Sequence, residues 1–219
     1  MSITAQSIIK RAAEALQDLS ATRWKTDELV RYLNDGQREI VIERPDATRV
    51  YATATLAAGA RQEIPANIWR LIEVERNSTG TKSAIRRVAR DMLDAQNASW
   101  YSMTPVDKIA HFTYDEREPA TFYVYPPAIE GTQVEIVCSA TPTEVAEPAA
   151  NTTFTAVTGN IGVGDVYANA LLNYILFRSY AKDAEYGGNA ALSAAHKGLF
   201  DAALGKELKG TVTFAPKAQ

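Results

Sequence analysis

The stretch Glu39-Ile40-Val41-Ile42-Glu43-Arg44-Pro45-Asp46-Ala47-Thr48-Arg49-Val50-Tyr51-Ala52-Thr53-Ala54-Thr55-Leu56 contains the change of period that decides the fold class. Up to Arg44 the apolar positions Leu29, Leu33, Ile40 and Val41 keep helical spacing, and Pro45, with no N–H to donate, stops the helix. From Arg49 the period drops to two. Val50, Ala52, Ala54 and Leu56 alternate with Tyr51, Thr53 and Thr55, as in a strand with one buried face. A helix that gives way to a run of strands predicts an α+β chain rather than a uniform bundle or sandwich.

Upstream, Thr26 is placed to cap this helix, and Asp27 and Glu28 put negative charge in its first turn, where the helix dipole favours it. Residues 3–19 predict an earlier helix that buries Ile8, Ile9, Ala12, Ala13, Leu16 and Leu19. Two helices this close in sequence are expected to pack as an antiparallel hairpin. Downstream, residues 61–64 read as a return strand after a turn at Gly59, and 69–76 as a third strand before the turn Asn77-Ser78-Thr79-Gly80. A helix is predicted over 85–97. Strands follow over 109–115, 121–125 and 132–141, with Pro126-Pro127 ending the middle one.

Residues 142–163 carry Pro142 and Pro148 without any apolar period, so they read as a long loop or arm, and deletion of 143–160 is expected to leave the monomer folded. Asp165 is then expected to cap a helix over 166–185. That helix is apolar on nearly every side: Val166, Tyr167, Leu171, Leu172, Tyr174, Ile175, Leu176, Phe177 and Tyr180. Asn173 and Arg178 interrupt it well short of the roughly 20 apolar residues that a bilayer requires, so it reads as a core helix. After Gly187-Gly188, Asn189 opens a last helix with Leu192, Ala195, Leu199 and Ala203 on its buried face, and the chain from Gly205 reads as loose and polar. The predicted architecture is α+β. Helix pairs from 1–46 and 164–205 form an antiparallel bundle, 47–142 is an inserted, mostly antiparallel β-rich domain containing one helix, 143–163 is an extended arm or loop and 206–219 a flexible tail.

Composition narrows the function. Among 219 residues, 26 acidic against 23 Lys and Arg leave a net charge of −3, which argues against a protein that coats nucleic acid. A single cysteine excludes an intramolecular disulfide, and two histidines with one cysteine cannot furnish a four-ligand zinc site from soft ligands. No metal and no cofactor are predicted. The N-terminus has no basic region followed by an apolar run, which predicts a protein made in a cytoplasm.

Several groups invite a chemical reading. Cys138 and His111 would make a thiolate–imidazolium pair if their strands were neighbours, but Cys138 shares a strand face with Val134 and Ile136, where cysteine serves as a small core hydrophobe. His196 lies one turn from Leu192 and Phe200 and reads as a packed helix histidine. Gly162-Val163-Gly164-Asp165 before a helix is a faint phosphate-cradle pattern, yet no Lys-Ser/Thr follows and Asp165 occupies the anion's place, so a turn with an N-cap is favoured. Asp115, Glu116 and Glu118 form an acidic cluster that reads as a solvated turn; the alternative is an acid/base pair of a small hydrolase. Lys82, Arg86, Arg87 and Arg90 form the one basic cluster, with Arg86 and Arg90 expected on one helix face. A solvated or subunit-pairing face is favoured there over a nucleic-acid-binding module.

Beyond these groups, the order and local pattern of the segments resemble the phage adaptor proteins that sit beneath the portal in the head-to-tail connector of short-tailed phages. The resemblance covers nearly the whole chain. It is carried by Trp24-Lys25-Thr26-Asp27-Glu28-Leu29, by Leu33-Asn34-Asp35-Gly36-Gln37-Arg38-Glu39-Ile40, by Arg44-Pro45-Asp46-Ala47, by Gly59-Ala60-Arg61-Gln62-Glu63-Ile64-Pro65 and by Phe122-Tyr123-Val124-Tyr125-Pro126-Pro127. The chain is also similar to the tail tubular, or gatekeeper, ring proteins. None of these segments is a catalytic motif, so the resemblance implies a structural protein and no enzyme.

It implies a virion neck protein in a ring of about twelve copies. Its partners are the portal protein, a tail or nozzle protein, and DNA that passes through the lumen without sequence-specific binding; no membrane is involved. By family analogy the C-terminal helix reaches the portal, with Leu199, Phe200, Leu204, Leu208 and Phe214 as portal contacts. Val145, Phe154, Val157, Arg86 and Arg90 are the corresponding subunit contacts. Twelve copies at a net charge of −3 each would carry about −36 in all, a field that repels phosphates and lets DNA slide.

Overall fold

The computed structural model describes residues 3–183 and 185–214, with side chains as far as Gly205. The chain divides into two compact units, Met1–Ala47 with Pro142–Gln219, and Thr48–Thr141. Helices make up the first and strands most of the second, so the chain is α+β.

The helical unit opens with α1 (Ala5–Ala15), capped by Thr4, whose hydroxyl oxygen accepts the Ser7 N–H at 3.3 Å. Ala5, Ile8, Ile9, Ala12 and Ala13 form its buried stripe. The helix stops before Gln17, which takes a positive φ of 55°, so Leu19 falls outside it and is 51% exposed rather than buried. α2 (Thr26–Glu43) runs to just before Pro45, with Asp27 and Glu28 in its first turn. Lys25, not Thr26, holds the capping position. The Thr26 hydroxyl instead donates to the Thr152 carbonyl at 2.6 Å.

α4 (Ala168–Lys182), preceded by a 3-10 turn at Asp165–Tyr167, packs against α1, α2 and α5 (Asn189–Phe214), which explains why apolar residues occur on all its sides. Val166 is the exception. It lies in the 3-10 turn and is 74% exposed. At the α2–α4 contact, a Cβ on Gly36 would meet the Tyr174 ring at 2.9 Å, so only glycine permits this approach of the two helices.

α5 departs from expectation in two ways. The helix continues through Gly205 to Phe214, while 215–219 lie outside the described residues. It also buries a different face: Ser193, Phe200 and Leu204 turn inward, and Leu192 and Leu199 are 44% and 54% exposed. The Phe200 ring against Tyr174, at 5.2 Å between centroids, and the Ser193 hydroxyl on the Phe177 carbonyl at 3.1 Å fix that rotation.

The β unit holds two sheets. β1 (Arg49–Thr55), β7 (Gln133–Ala140) and β3 (Ile68–Asn77) form an antiparallel sheet in the order β1-β7-β3. The second sheet has the order β2-β6-β5-β4, from β2 (Gly59–Glu63), β6 (Thr121–Ala128), β5 (His111–Thr113) and β4 (Arg86–Arg87). Their shared core includes Leu71, Val74, Phe112, Phe122, Val124, Ile136 and Cys138.

Two sequence expectations fail here for clear reasons. β6 runs through Pro126-Pro127, with a cis bond at Tyr125-Pro126. Along this stretch the strand needs acceptors: the Pro127 carbonyl takes the Val106 N–H at 2.9 Å and the Tyr125 carbonyl takes that of Ala110 at 2.9 Å. The predicted 85–97 helix forms only as α3 (Arg90–Gln96). Residues 85–88 are extended beside β5 instead, the Arg86 N–H donating to the Ala110 carbonyl at 3.1 Å and that of Val88 to Phe112 at 2.9 Å. Ile85, buried among the sheet residues, anchors this parallel pairing.

Candidate functional site

Two members of the basic cluster, Arg87 and Arg90, line the same open cleft of about 720 Å³ in the β unit as the acidic cluster. Asp115, Glu116 and Glu118 line it with Arg117 among them. Each cleft charge has a local tie. Arg87 donates to the Tyr114 carbonyl at 3.2 Å, and Arg90 stands over the rings of Tyr101 and Tyr123 at 5.6 and 5.5 Å. Arg70 pairs with Glu116 at 2.5 Å. Arg117 holds Asp115 at 2.8 Å, and this side-chain bond, with the Arg117 backbone N–H, keeps the Asp115 carboxyl down at about 2. A carboxylate so stabilised is a poor proton acceptor near neutral pH.

The basic cluster is not one helix face. Arg86 lies in β4, Arg90 opens α3, and Lys82 sits in the turn before β4 with a positive φ of 48°. Behind the cleft, fully buried Trp100 stacks on Tyr101 at 3.8 Å and meets Tyr123 and Tyr125 edge-on, while its indole N–H donates to Asp94 at 2.8 Å. This aromatic cluster positions the rings beneath Arg90.

Cys138 and His111 belong to different sheets: Cys138 lies on β7, between Val50 of β1 and Leu71 of β3, and His111 on β5. Burial pushes the Cys138 thiol up to about 11, so it is no nucleophile. Folded chain is expected to leave a thiol reagent unreacted and urea-unfolded chain to consume one equivalent. Rapid reaction in the folded state would contradict this assignment. His196 binds the Asn173 side-chain oxygen at 2.9 Å and stacks on Tyr180 at 5.7 Å between ring centroids. Burial lowers its pKa below 6.5, so the unfolded chain takes up the proton first and stability falls as pH drops through that value. The melting temperature should therefore decline between about pH 7.5 and 5.5, and His196→Gln should flatten part of that decline.

Gly162 and Gly164 do not cradle an anion. A Cβ on Gly162 would fall 2.6 Å from the backbone N and O of Thr143, so this glycine serves a chain crossing, and its N–H donates to the Gln37 side chain. Asp165 accepts the Ile3 N–H at 2.8 Å and so ties down the N-terminal segment.

The 142–163 segment is a loop packed onto its own unit rather than a free arm. Asn34 grips Val145 at two points: its amide donates to the Val145 carbonyl and its oxygen accepts the Val145 N–H, both at 2.9 Å. Gln37 reaches the Thr143 carbonyl at 3.4 Å, and Arg31 and Arg38 pair with Glu147 and Glu144. Val145, Val157, Ile161 and Val163 are buried, so deletion of this segment would strip the core of the helical unit. Val145 and Val157 are therefore internal packing residues, whereas Phe154 is half-buried and Arg86 and Arg90 are exposed. Among the predicted portal contacts, Phe200 and Leu204 are likewise packed inside the chain; Leu199 is exposed, and the side chains of Leu208 and Phe214 lie outside the described residues. Sequence reading missed Asn34 and Gln37. Their signal was two amides three residues apart on the face of α2 that also carries Leu33 and Ile40.

In this two-unit α+β chain the polar side chains that reach inward clamp its own segments. The chain belongs to the SU10 adaptor protein family, whose model matches residues 3–217. That family comprises structural phage adaptor proteins, so the chain is a virion component. No curated protein matches it. No helix among the described residues is long and apolar enough to cross a membrane.

Proposed function

We propose that the chain is the head-to-tail adaptor subunit of a phage virion, docked beneath the portal as a ring of about twelve copies that extends the DNA channel and receives the tail. The observation that carries this reading is the family match over residues 3–217. In this reading the helices form an antiparallel bundle that lines the channel and the β unit faces the tail or nozzle protein. The net charge of −3 per copy supports a lumen that repels DNA phosphates. Leu199, with Leu208 and Phe214 further along α5, meets the portal, and Phe154, Arg86 and Arg90 lie at subunit contacts. A ring of identical subunits closes through heterologous contacts, one face of each copy meeting a different face of the next.

The deciding experiment is the native mass of the purified chain, alone and after mixing with the portal protein of the same phage. A monomer that adds to the portal in a ring-sized multiple supports the proposal. A stable small oligomer that ignores the portal overturns it.

A further inference from the structure

The cleft of the β unit has charges left over once its internal pairs are matched. Glu116 is taken by Arg70 and Asp115 by Arg117. Arg87 donates to a neutral group, the Tyr114 carbonyl, and Arg90 stands 3.8 Å from Asp94, beyond hydrogen-bond distance. Glu118 takes the Thr121 hydroxyl at 3.5 Å and forms no ion pair among the described residues. Two cations and one carboxylate are therefore open to a partner. A polyanion such as a nucleic-acid backbone fits poorly, because Asp115, Glu116 and Glu118 would face its phosphates. The complementary group is a carboxylate with a cation beside it.

Such a pair projects from the same unit. Asp107 and Lys108 are exposed, and their side chains make no hydrogen bond or ion pair among the described residues. They stand on a short loop pinned at both ends. Before them the Val106 N–H donates to the Pro127 carbonyl at 2.9 Å, and the Val106 carbonyl takes the Ile129 N–H at 3.0 Å. After them Ile109 is buried, and the Asn77 side chain holds its N–H and C=O at 2.9 and 2.8 Å. A loop so fixed has little freedom left to lose on docking.

The β5–β6 pair separates this loop from the cleft. The loop precedes β5 and lies beside Ala128 at the end of β6, whereas the cleft holds Thr113 at the end of β5 and Thr121 at the start of β6. From Thr121 to Ala128 the strand spans about 20 Å, so the loop cannot enter the cleft of its own chain. A knob at one end of a strand pair and a socket at the other suit a head-to-tail contact, in which one face of each copy meets a different face of the next.

We propose that the cleft receives the Asp107-Lys108 loop of a second copy of the chain, Asp107 against Arg87 and Arg90, and Lys108 against Glu118. This rests on the adaptor reading, which gathers copies side by side on the portal.

Disulfide trapping on the portal tests the contact. Chains carrying Lys108→Cys and Glu118→Cys together, seated on the portal and oxidised, should yield a covalent ladder of copies. Cys138 is buried, and the two new thiols are too far apart to join within one chain. Each single variant should yield no cross-link; a dimer from either would mark a two-fold contact and overturn the inference. A parent chain that adds to the portal while the double variant gives no ladder there overturns the inference and leaves the adaptor reading standing. A parent that ignores the portal overturns the adaptor reading. The free double variant at about 1 mM then decides the contact, a ladder supporting it and none overturning it. Charge reversal is the second measure. Asp107→Arg changes an exposed side chain, so the variant should melt like the parent yet add to the portal at least about tenfold more weakly. Adding Arg90→Asp to it should recover most of the loss. Normal addition of the Asp107→Arg chain, or no recovery in a double variant that melts like the parent, refutes the inference.

Discussion

Asn34→Ala should lower the stability of the helical unit by about 3 kcal/mol, because both backbone groups of Val145 lose their buried partners together. The Asn34 amide offers one donor and one acceptor in the arrangement of a strand neighbour, and both are matched at 2.9 Å. Alanine removes the pair without leaving room for water to replace it, since Asn34 and Val145 are 6% and 4% exposed. The loss should spread to Gln37, whose amide also donates to the Asn34 oxygen at 3.2 Å. Urea unfolding followed by circular dichroism at the helical band measures the effect. A midpoint unchanged from the parent would show that 142–163 is held by its apolar residues alone. Asn34→Asp should not restore the stability, because it keeps the acceptor but sets a buried carboxylate oxygen against the Val145 carbonyl.

Trp100→Ala is expected to cost the β unit about 3–5 kcal/mol, the range for emptying a buried aromatic site. Trp100 is fully buried and contacts the rings of Tyr101, Tyr123 and Tyr125. Its removal leaves Asp94 without the indole N–H and frees the rings over which Arg90 stands. Near-ultraviolet circular dichroism should report the collapse of the aromatic cluster, and urea unfolding the lower midpoint. Trp100→Phe should keep most of the packing and lose only the Asp94 bond. Equal stability of the alanine variant and the parent would show that the cluster is not part of the cooperative core of the β unit.

The α+β class was legible because hydrophobic period is a local property. The helical stripe through Leu29, Leu33 and Ile40 and the alternation from Val50 to Leu56 are set by side-chain direction along one segment, and the structure has α2 and β1 in those places. The inward position of Cys138 followed from the same reasoning, through Val134 and Ile136 on its strand face. Where local preference competed with a distant partner, the partner decided. Residues 85–88 have an acceptable helical pattern but lie beside β5, because the Ala110 and Phe112 carbonyls take their N–H groups. Thr26 is a good cap by composition, yet its hydroxyl serves Thr152, 126 positions away.

The same distinction governs the candidate site. Charge clusters were visible as residue types, but the meeting of Arg87 and Arg90 with Asp115–Glu118 in one cleft required β4, β5 and the turn after β5 to be assembled. Only that assembly brings Arg70 against Glu116, whereas Arg117 reaches Asp115 within the same turn. Sequence alone determined the α+β class, the inward stripes of α1 and α2 and the family, because these depend on residue order. Tertiary structure decided which face of α5 is buried, that the 142–163 segment belongs to the core of its unit, and which charges share the cleft. Those outcomes depend on which distant backbone groups find partners, and hydrogen bonds between segments more than 100 residues apart, such as Asn34 to Val145, leave no periodic mark on the chain.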